Sequence, residues 1–514
     1  MSQHFDAIVI GSGLGGLTAA ALYARAGNRV LVLERNDAFG GAATVYRHGD
    51  LSIEASLHEI DGLDAGDAKA PLLAALGLDR DIPFVEVGDL QEVRSAVIGA
   101  PFVLPHGYDA ARDAAIHRFP RHARGIEDYF RRLRELREAV SALAQHQDDG
   151  GWWLRNAVTL PQRLWPLVRH RHATVSGVLA ELFGADEAVK LALASNLGYY
   201  TDDPDTMPFI AYAIPQASYL AGGGHYIRGG SRVLTDRLVA MVREAGGDAR
   251  SGRVVDAILL DGDRPRGVRY SSSEDGEREA YAPVIFGNAA PQVLAAMLPE
   301  DRRAAFLAPY QARRPSISLW SMALGLNRPS RELGVTHYST LIMPDWLDSL
   351  SRLKEAAALF GADPDGRLPP FSFVAYDQID SGLNRNGPYL ASLAGIDRIE
   401  NWAGLSDPAR RARKERWMDR IVAALDRHFP GLEAAVVQRE MSTAETMRHY
   451  LNTPGGATYG FTPQTRGFRP LARTAIDGIY LASAFTGGGG FTGAMLGGGW
   501  AARAALGRKL PQAT

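Results

Sequence analysis

At 514 residues the chain is long enough for several structural units and a large buried core. Hydrophobic residues at 46% and charged residues at 22% give a globular balance, and a formal net charge of −2 offers nothing to a nucleic acid. Cysteine is absent, which excludes disulfides, a thiol nucleophile, Cys-ligated zinc and a redox-active cysteine pair.

Residues 6–10 form the first expected element, an apolar strand that runs straight into a glycine turn and so reads as folded structure rather than a secretory leader. The turn is Gly11-Ser12-Gly13-Leu14-Gly15-Gly16, followed by an Ala-rich helix over 17–26, a second strand over 29–33, and Glu34. Strand, glycine turn, helix, strand and acid make a complete dinucleotide-binding βαβ unit. Gly11 permits the tight turn, Gly13 lets the backbone approach a pyrophosphate, and Gly16 lets the helix pack closely. The helix N-terminus presents free N–H groups and partial positive charge to the phosphates. Glu34 is placed for a ribose hydroxyl and disfavours a 2′-phosphate. The unit alone does not separate FAD from NAD.

Next come Arg35 and the double glycine Gly40-Gly41 before Ala42, where backbone can approach a second part of an extended cofactor. Over 46–62 an apolar strand ends at Glu54 and leads into Ser56, His58 and Glu59. Apolar residues recur at helical spacing over 125–145 and again over 407–429, where Trp417, Ile421 and Leu425 share a face; both predict packing helices. Between them, Tyr226 to Ser231 carries Gly229-Gly230 and leads into a helix ending near Ala245, after which Val254 and Val255 start a strand. Another strand is expected just after Pro315, with Ile317, Leu319, Met322 and Leu324 around Trp320. The glycine-rich run 455–460 holds Tyr459. Residues 475–482 read as a last sheet strand, and Gly487 to Gly490 then open a final helix through Phe491 and Thr492.

In these motifs the chain resembles the phytoene desaturase, carotenoid isomerase and retinol saturase group of flavoproteins, relatives of the amine oxidases. The resemblance is carried by the first glycine unit, the double glycine, the stretch 46–62, the Gly229-Gly230 helix and the C-terminal glycine turn. It implies an α/β fold: a discontinuous, two-dinucleotide-binding Rossmann-type FAD domain joined to a mixed α+β substrate domain. It assigns FAD contacts to Gly11, Ser12, Gly13, Gly15, Gly16, Glu34, Arg35, Gly40, Gly41 and Ala42, to Val254 and Val255 beside the adenine, and to Ala484, Phe485, Gly490, Phe491 and Thr492. The final helix would face the flavin pyrimidine with its N-terminus. Ala484 departs from the group's pattern, in which Asp is common, and Ser56 stands where Gly is usual.

The FAD domain is expected from 1–70, 225–300 and 440–514, and the substrate domain from 71–224 and 301–439. Within the latter, 151–172 mixes Trp152, Trp153, Leu154, Leu160, Leu164, Trp165, Leu167 and Val168 with four arginines. That composition suits a membrane interface or, equally, a lid or dimer surface. His170 and His172 flank Arg171 without a carboxylate pattern, so a solvated or headgroup-facing role is expected there, and no metal. No uncharged apolar stretch is long enough to span a bilayer. The expected location is cytoplasmic, with membrane association open.

The reaction implied is desaturation, saturation or isomerisation of C=C bonds in a long apolar polyene, of carotenoid or retinoid kind. His58, Glu59 and Tyr459 are the candidates for acid–base help. With no mid-chain strand–glycine turn–helix unit for NADH, electrons would pass to or from O₂, a quinone or a redox partner. The same flavin chemistry on a fatty-acyl or other lipid chain is a second reading. A third, of another class, is a prenyl-lipid chaperone of the GDP-dissociation-inhibitor type, which shares the fold without an intact phosphate-binding glycine run.

Overall fold

The computed structural model describes residues 3–146, 149–273, 276–464 and 471–507. A five-stranded sheet, parallel throughout, runs in the order Asp248–Arg250, Val30–Leu33, Ala7–Ile10, Val284–Gly287, Ile479–Leu481. Three distant stretches of chain therefore meet in one sheet. Both of its faces are covered, which is why strands Ala7–Ile10 and Val30–Leu33 are apolar without alternation. Ala7, Val9, Val30 and Val32 pack towards helices Leu14–Arg25, Arg232–Glu244 and Gly490–Leu506. Ile8, Ile10, Leu31 and Leu33 pack towards a four-stranded sheet that contains Val254–Asp261 and Arg264–Ser272.

The first and last helices lie against each other through glycine. A Cβ placed on Gly498 would sit 2.1 Å from the Gly15 carbonyl oxygen, so backbone meets backbone there. The glycine excess near the C-terminus thus serves helix packing as well as the turn.

A seven-stranded mixed sheet forms the other half, ordered Val436–Ser442, Ser318–Leu326, Tyr389–Asp397, Phe371–Ala375, Ser339–Met343, Gln91–Ser95, Phe102–Leu104. Along Ser318–Leu326, Trp320, Met322 and Leu324 are fully buried and pack with Trp417, Ile421 and Leu425 of helix Asp407–His428. Ala123–Gln145, the other helix expected from periodicity, buries Ile126, Tyr129, Phe130, Leu133 and Leu136 in a separate helical core.

Two expected boundaries move. Strand Val436–Ser442 belongs whole to the seven-stranded sheet and crosses the break placed at 440. Leu72, Leu73, Leu76, Ile82 and Val87, placed with the substrate side, lie in the core of the parallel sheet and its helices. Strand Phe84–Glu86 pairs with Gly224–Ile227, a partner some 140 residues away that no local signal announces.

Candidate active site

The cofactor cradle is built at the switch between strand Ala7–Ile10 and its neighbours. Gly11 has φ of +91°, and a Cβ on Gly16 would meet the Gly11 carbonyl oxygen at 2.4 Å, so both positions require glycine as the motif predicts. Gly41, at φ +61°, comes so close that its Cβ would lie 3.2 Å from Gly13 Cα. Glycine turn and double glycine therefore form one continuous concavity. Helices Leu14–Arg25 and Gly490–Leu506 both begin without a side-chain cap and without an acid in the first turn. Their leading N–H groups are left for an anionic or electron-rich ligand.

Glu34 is nearly fully buried and accepts from the Ser12 N–H (2.8 Å) and Ser12 hydroxyl (2.6 Å) at Oε2, and from the Asn36 N–H (2.8 Å) at Oε1. A carboxylate offers about four acceptor sites, so Oε1 keeps one for a ribose hydroxyl. These residues fit the ADP half of FAD. Gly13, Gly15, Gly16, Gly40 and Ala42 stand with them around the same turn, Gly40 donating to Ser12 oxygens at 3.1 Å.

At four of the expected contact positions the side chain turns away from the cradle, which leaves only the backbone of the segment to face a ligand. Ser12 turns its side chain inward to clip Glu34 to the turn and is fully buried. Arg35 donates its guanidinium to the His449 carbonyl and so ties the loop to helix Ala444–Leu451. Val255 is a core residue, and only Val254, 48% exposed, faces outward beside Glu34. Phe485 is buried edge-on against Phe461, which leaves Ala484 half-buried at the start of the short helix Ala484–Gly487. Sequence reasoning also missed Asn288. Its N–H donates to Ile10 O (2.8 Å), its Nδ2 to Ala482 O (2.6 Å), and its Oδ1 lies 2.5 Å from where a Gly13 Cβ would stand. Its only sequence signal is a polar residue ending the apolar strand Val284–Gly287.

From the cradle the chain runs along strand Leu51–Glu54 to the reactive groups. Glu54 is buried and accepts from the Ser231 N–H (2.8 Å) and hydroxyl (2.6 Å), Tyr226 OH (3.2 Å), and the Leu57 and Ser56 N–H groups. Burial holds its carboxyl above the usual range, opposed by these donors. It is a structural anchor for the turn that follows. Tyr376 OH donates to Leu57 O (2.8 Å) and Tyr338 OH to His58 O (2.5 Å), so two tyrosines of the large sheet side fix that turn from above.

His58 and Glu59 follow, both half-buried, among tyrosine side chains. His58 Nδ1 pairs with Tyr199 OH at 2.8 Å, and burial pushes its imidazole down to about 4, so the ring is neutral at pH 7. Glu59 Oε2 is buried with no hydrogen-bond partner. Burial, reinforced by the Asp61 carboxylate, pushes the Glu59 carboxyl up to about 8, so it is mostly protonated at neutrality. Tyr199, Tyr200, Tyr219 and Tyr338 all lie within electrostatic reach of it. Tyr459 reaches the same space beside Tyr199 and Tyr200, seated on Gly489, and burial raises its phenol. Thr492, in the first turn of the last helix, donates to Asp61 Oδ1 at 2.6 Å and so joins that helix to the Glu59 segment.

His58, Glu59 and Tyr459, some 400 residues apart in sequence, are thus brought to one place. The four further tyrosines carried no motif; the adjacent pair Tyr199-Tyr200 was their sole hint. Beyond Tyr199 a narrow apolar slot of about 30 Å³ opens between Ser195–Tyr199 and the large sheet, lined by Leu319, Leu341, Met343 and Ile396.

A dinucleotide cradle beside a cluster of His58, Glu59 and tyrosine side chains is the arrangement of a flavin oxidoreductase. The family model of the flavin-containing amine oxidoreductases matches residues 14–506, and the chain belongs to that family. It is similar to the all-trans-retinol 13,14-reductase of Rattus norvegicus, with 24% identity over 93% of this chain and 82% of the relative. The chloroplastic prolycopene isomerase of Daucus carota is 25% identical over 93% of this chain and 76% of its own. Among solved structures, an oxidoreductase from Methanosarcina mazei aligns with a TM-score of 0.60 at 15% identity, over 98% of this chain and all of that one, a likeness of fold. The chain is an FAD-dependent oxidoreductase, and the chaperone reading is set aside, since the phosphate-binding glycine run is complete.

Proposed function

We propose that the protein adds hydrogen across, or isomerises, C=C bonds of a long apolar polyene, with Glu59 as the proton donor. One observation carries the reading: Glu59, whose Oε2 is buried without a hydrogen-bond partner and whose carboxyl is pushed up to about 8, stands among tyrosines next to the cofactor cradle. Leaving such a group unpaired is costly, and sites that keep one use its proton. FAD bound in the cradle supplies hydride chemistry and exchanges electrons with an external partner. The chain's own residues exclude water, hold the polyene by apolar contact and deliver a proton to the carbon that accepts no hydride. A new C–H bond then forms from the Glu59 proton, and the carboxylate left behind regains a proton from solvent. His58, neutral and tied to Tyr199, positions the cavity wall. Protonated at pH 7, Glu59 is ready to act as the acid for hydrogen addition. Names of the relatives, acting on all-trans-retinol and prolycopene, support a polyene.

The test is incubation of the flavin-loaded holoenzyme, reduced beforehand, with all-trans-retinol and with prolycopene, products being resolved by chromatography and mass. A gain of two hydrogens marks saturation and a shifted retention at unchanged mass marks isomerisation. Conversion of neither by protein that retains its flavin overturns the reading.

We also propose that helices Gly150–Asn156 and Leu160–His170 rest on an anionic membrane surface. Leu154, Val158, Trp165 and Val168 are 81%, 91%, 59% and 44% exposed, and Arg155, Arg163, Arg169 and Arg171 lie among them with no acid over 150–172. Apolar anchors among cations match a phosphate-bearing lipid interface. Three residues expected at that interface do not face it. Trp152 stacks on His146 at 4.2 Å, Trp153 Nε1 donates to His146 O at 2.6 Å, and His170 is buried beside Phe209. Among the described residues no helix is long and apolar enough to cross a membrane. Flotation with vesicles containing phosphatidylserine is expected for the wild type, and its loss when all four exposed apolar residues become Ser. Equal flotation of both proteins removes the idea.

A further inference from the structure

Glu59 must be reprotonated after each turnover, yet it lies behind a wall of tyrosines. Strand Gly224–Ile227 runs between Ile60–Asp61 and Phe84–Glu86, antiparallel to both. Residues paired across such strands share a face and successive residues alternate. Gly224 pairs with Asp61 and faces Glu59: a Cβ there would stand 2.3 Å from Glu59 Oε2. His225 pairs with Glu86 and faces the opposite way. Its ring is nine-tenths buried, at 9% exposure, and its Nδ1 has no hydrogen-bond partner.

A polar cavity of about 290 Å³ is lined by Glu86, Asp89, His106 and the glycine run 222–224, and His225 lies within electrostatic reach of the Glu86 and His106 in its wall. At roughly 30 Å³ per molecule it holds several waters. The His106 ring comes within 3.4 Å of where a Gly223 Cβ would stand. The side-chain-free backbone at Gly224 is therefore what separates this cavity from Glu59.

We infer that this cavity is the port through which Glu59 exchanges its proton with water, with His106 and His225 as carriers. The inference rests on Glu59 being the proton donor proposed above. The proton enters from bulk water, passes by way of His106, His225 and intervening water around the start of the strand, and ends on Glu59 Oε2. No bond to carbon and no electron is involved. Charged groups surround the path on each side: Glu86 and Asp89 at the mouth attract protons, while Lys69, 3.0 Å from Asp67 and 3.7 Å from Asp61, stands beside His225 and opposes lasting protonation there. Burial lowers the His225 imidazole further, so it carries a proton only in passage.

Infrared spectroscopy of the holoenzyme, with no substrate present, tests the port directly. The protonated-carboxyl stretch of Glu59, identified by its loss in Glu59→Gln, shifts when the sample is transferred to D₂O, and the rate of that shift is read. In His106→Phe and in His225→Phe the exchange should slow by on the order of tenfold or more, and added imidazole should restore it. His225→Gln, which keeps a polar side chain of similar size but does not titrate, replaces the Phe variant should the latter fail to fold. Exchange as fast in the His106 and His225 variants as in the wild type overturns the port. Absence of the band from wild type at pH 7 overturns instead the assignment of Glu59 as a proton donor.

Discussion

Glu59→Gln is expected to leave flavin binding intact and to lower turnover of whichever polyene the enzyme converts by roughly 10²–10⁴-fold, the range for loss of a positioned acid. Gln fills the same space but holds no transferable proton. The residue is not part of the glycine cradle, and its Oε2 takes no hydrogen bond that Gln would break. The pH dependence follows from the raised carboxyl. Wild-type hydrogen addition should hold steady through neutrality and fall as pH rises through about 8, where Glu59 ionises; in the Gln variant that limb should vanish. Stability moves the other way. A carboxyl whose folded value lies above its unfolded one costs stability once pH exceeds the unfolded value near 4.5, and the full cost is reached above about 8. Gln removes that cost, so its unfolding midpoint should exceed that of the wild type at pH 7 and more so at pH 9. Steady-state rates and thermal melts across pH check both limbs. Full activity in a folded Gln variant sinks the proposed role.

Gly498→Ala and Gly499→Ala, neighbours on one helix, should have opposite effects. An added methyl at 498 meets the Gly15 carbonyl oxygen at 2.1 Å and Thr18 Cβ at 3.0 Å, and backbone of another helix cannot step aside cheaply. Helices Leu14–Arg25 and Gly490–Leu506 must separate, at a cost of about 1–3 kcal/mol or more. Because both helices present their N-termini to the cofactor, flavin affinity should fall with stability. At 499 the methyl meets only Leu72 side-chain carbons, at 3.3 and 3.7 Å. Leu72 can shift by a few tenths of an ångström, and Ala in a helix gains up to about 1 kcal/mol over Gly. That variant should match or exceed wild type. Denaturant midpoints and flavin fluorescence on release measure the contrast; equal loss in both variants shows that the helix contact is not the reason for Gly498.

The cofactor half was legible because its chemistry is local. Gly11 to Gly16, Glu34 and Gly40-Gly41 sit within a few dozen residues, and each glycine answers a backbone requirement that any solution of the fold must meet. The side-chain directions of Ser12, Arg35, Val255 and Phe485 were not legible, for a common reason. Position in a motif says which segment nears the ligand, whereas the direction of each side chain depends on what packs behind it. Domain edges at 70 and 440 slipped because pairing of Phe84–Glu86 with Gly224–Ile227, and of Val436–Ser442 with Ser318–Leu326, is made across long sequence gaps.

By itself the sequence determined the nucleotide-binding turn, the acid at its end, the amphipathic helices and the family, since these are written in residue type and spacing. Only the tertiary structure decided that Glu59 sits among tyrosines from four separate segments and that His225 lies on the opposite face of the neighbouring strand. A carboxyl's affinity for protons is set by the dielectric and charges around it, and those come from residues far away in the chain. Burial is a property of the assembled fold, and no run of letters encodes it locally.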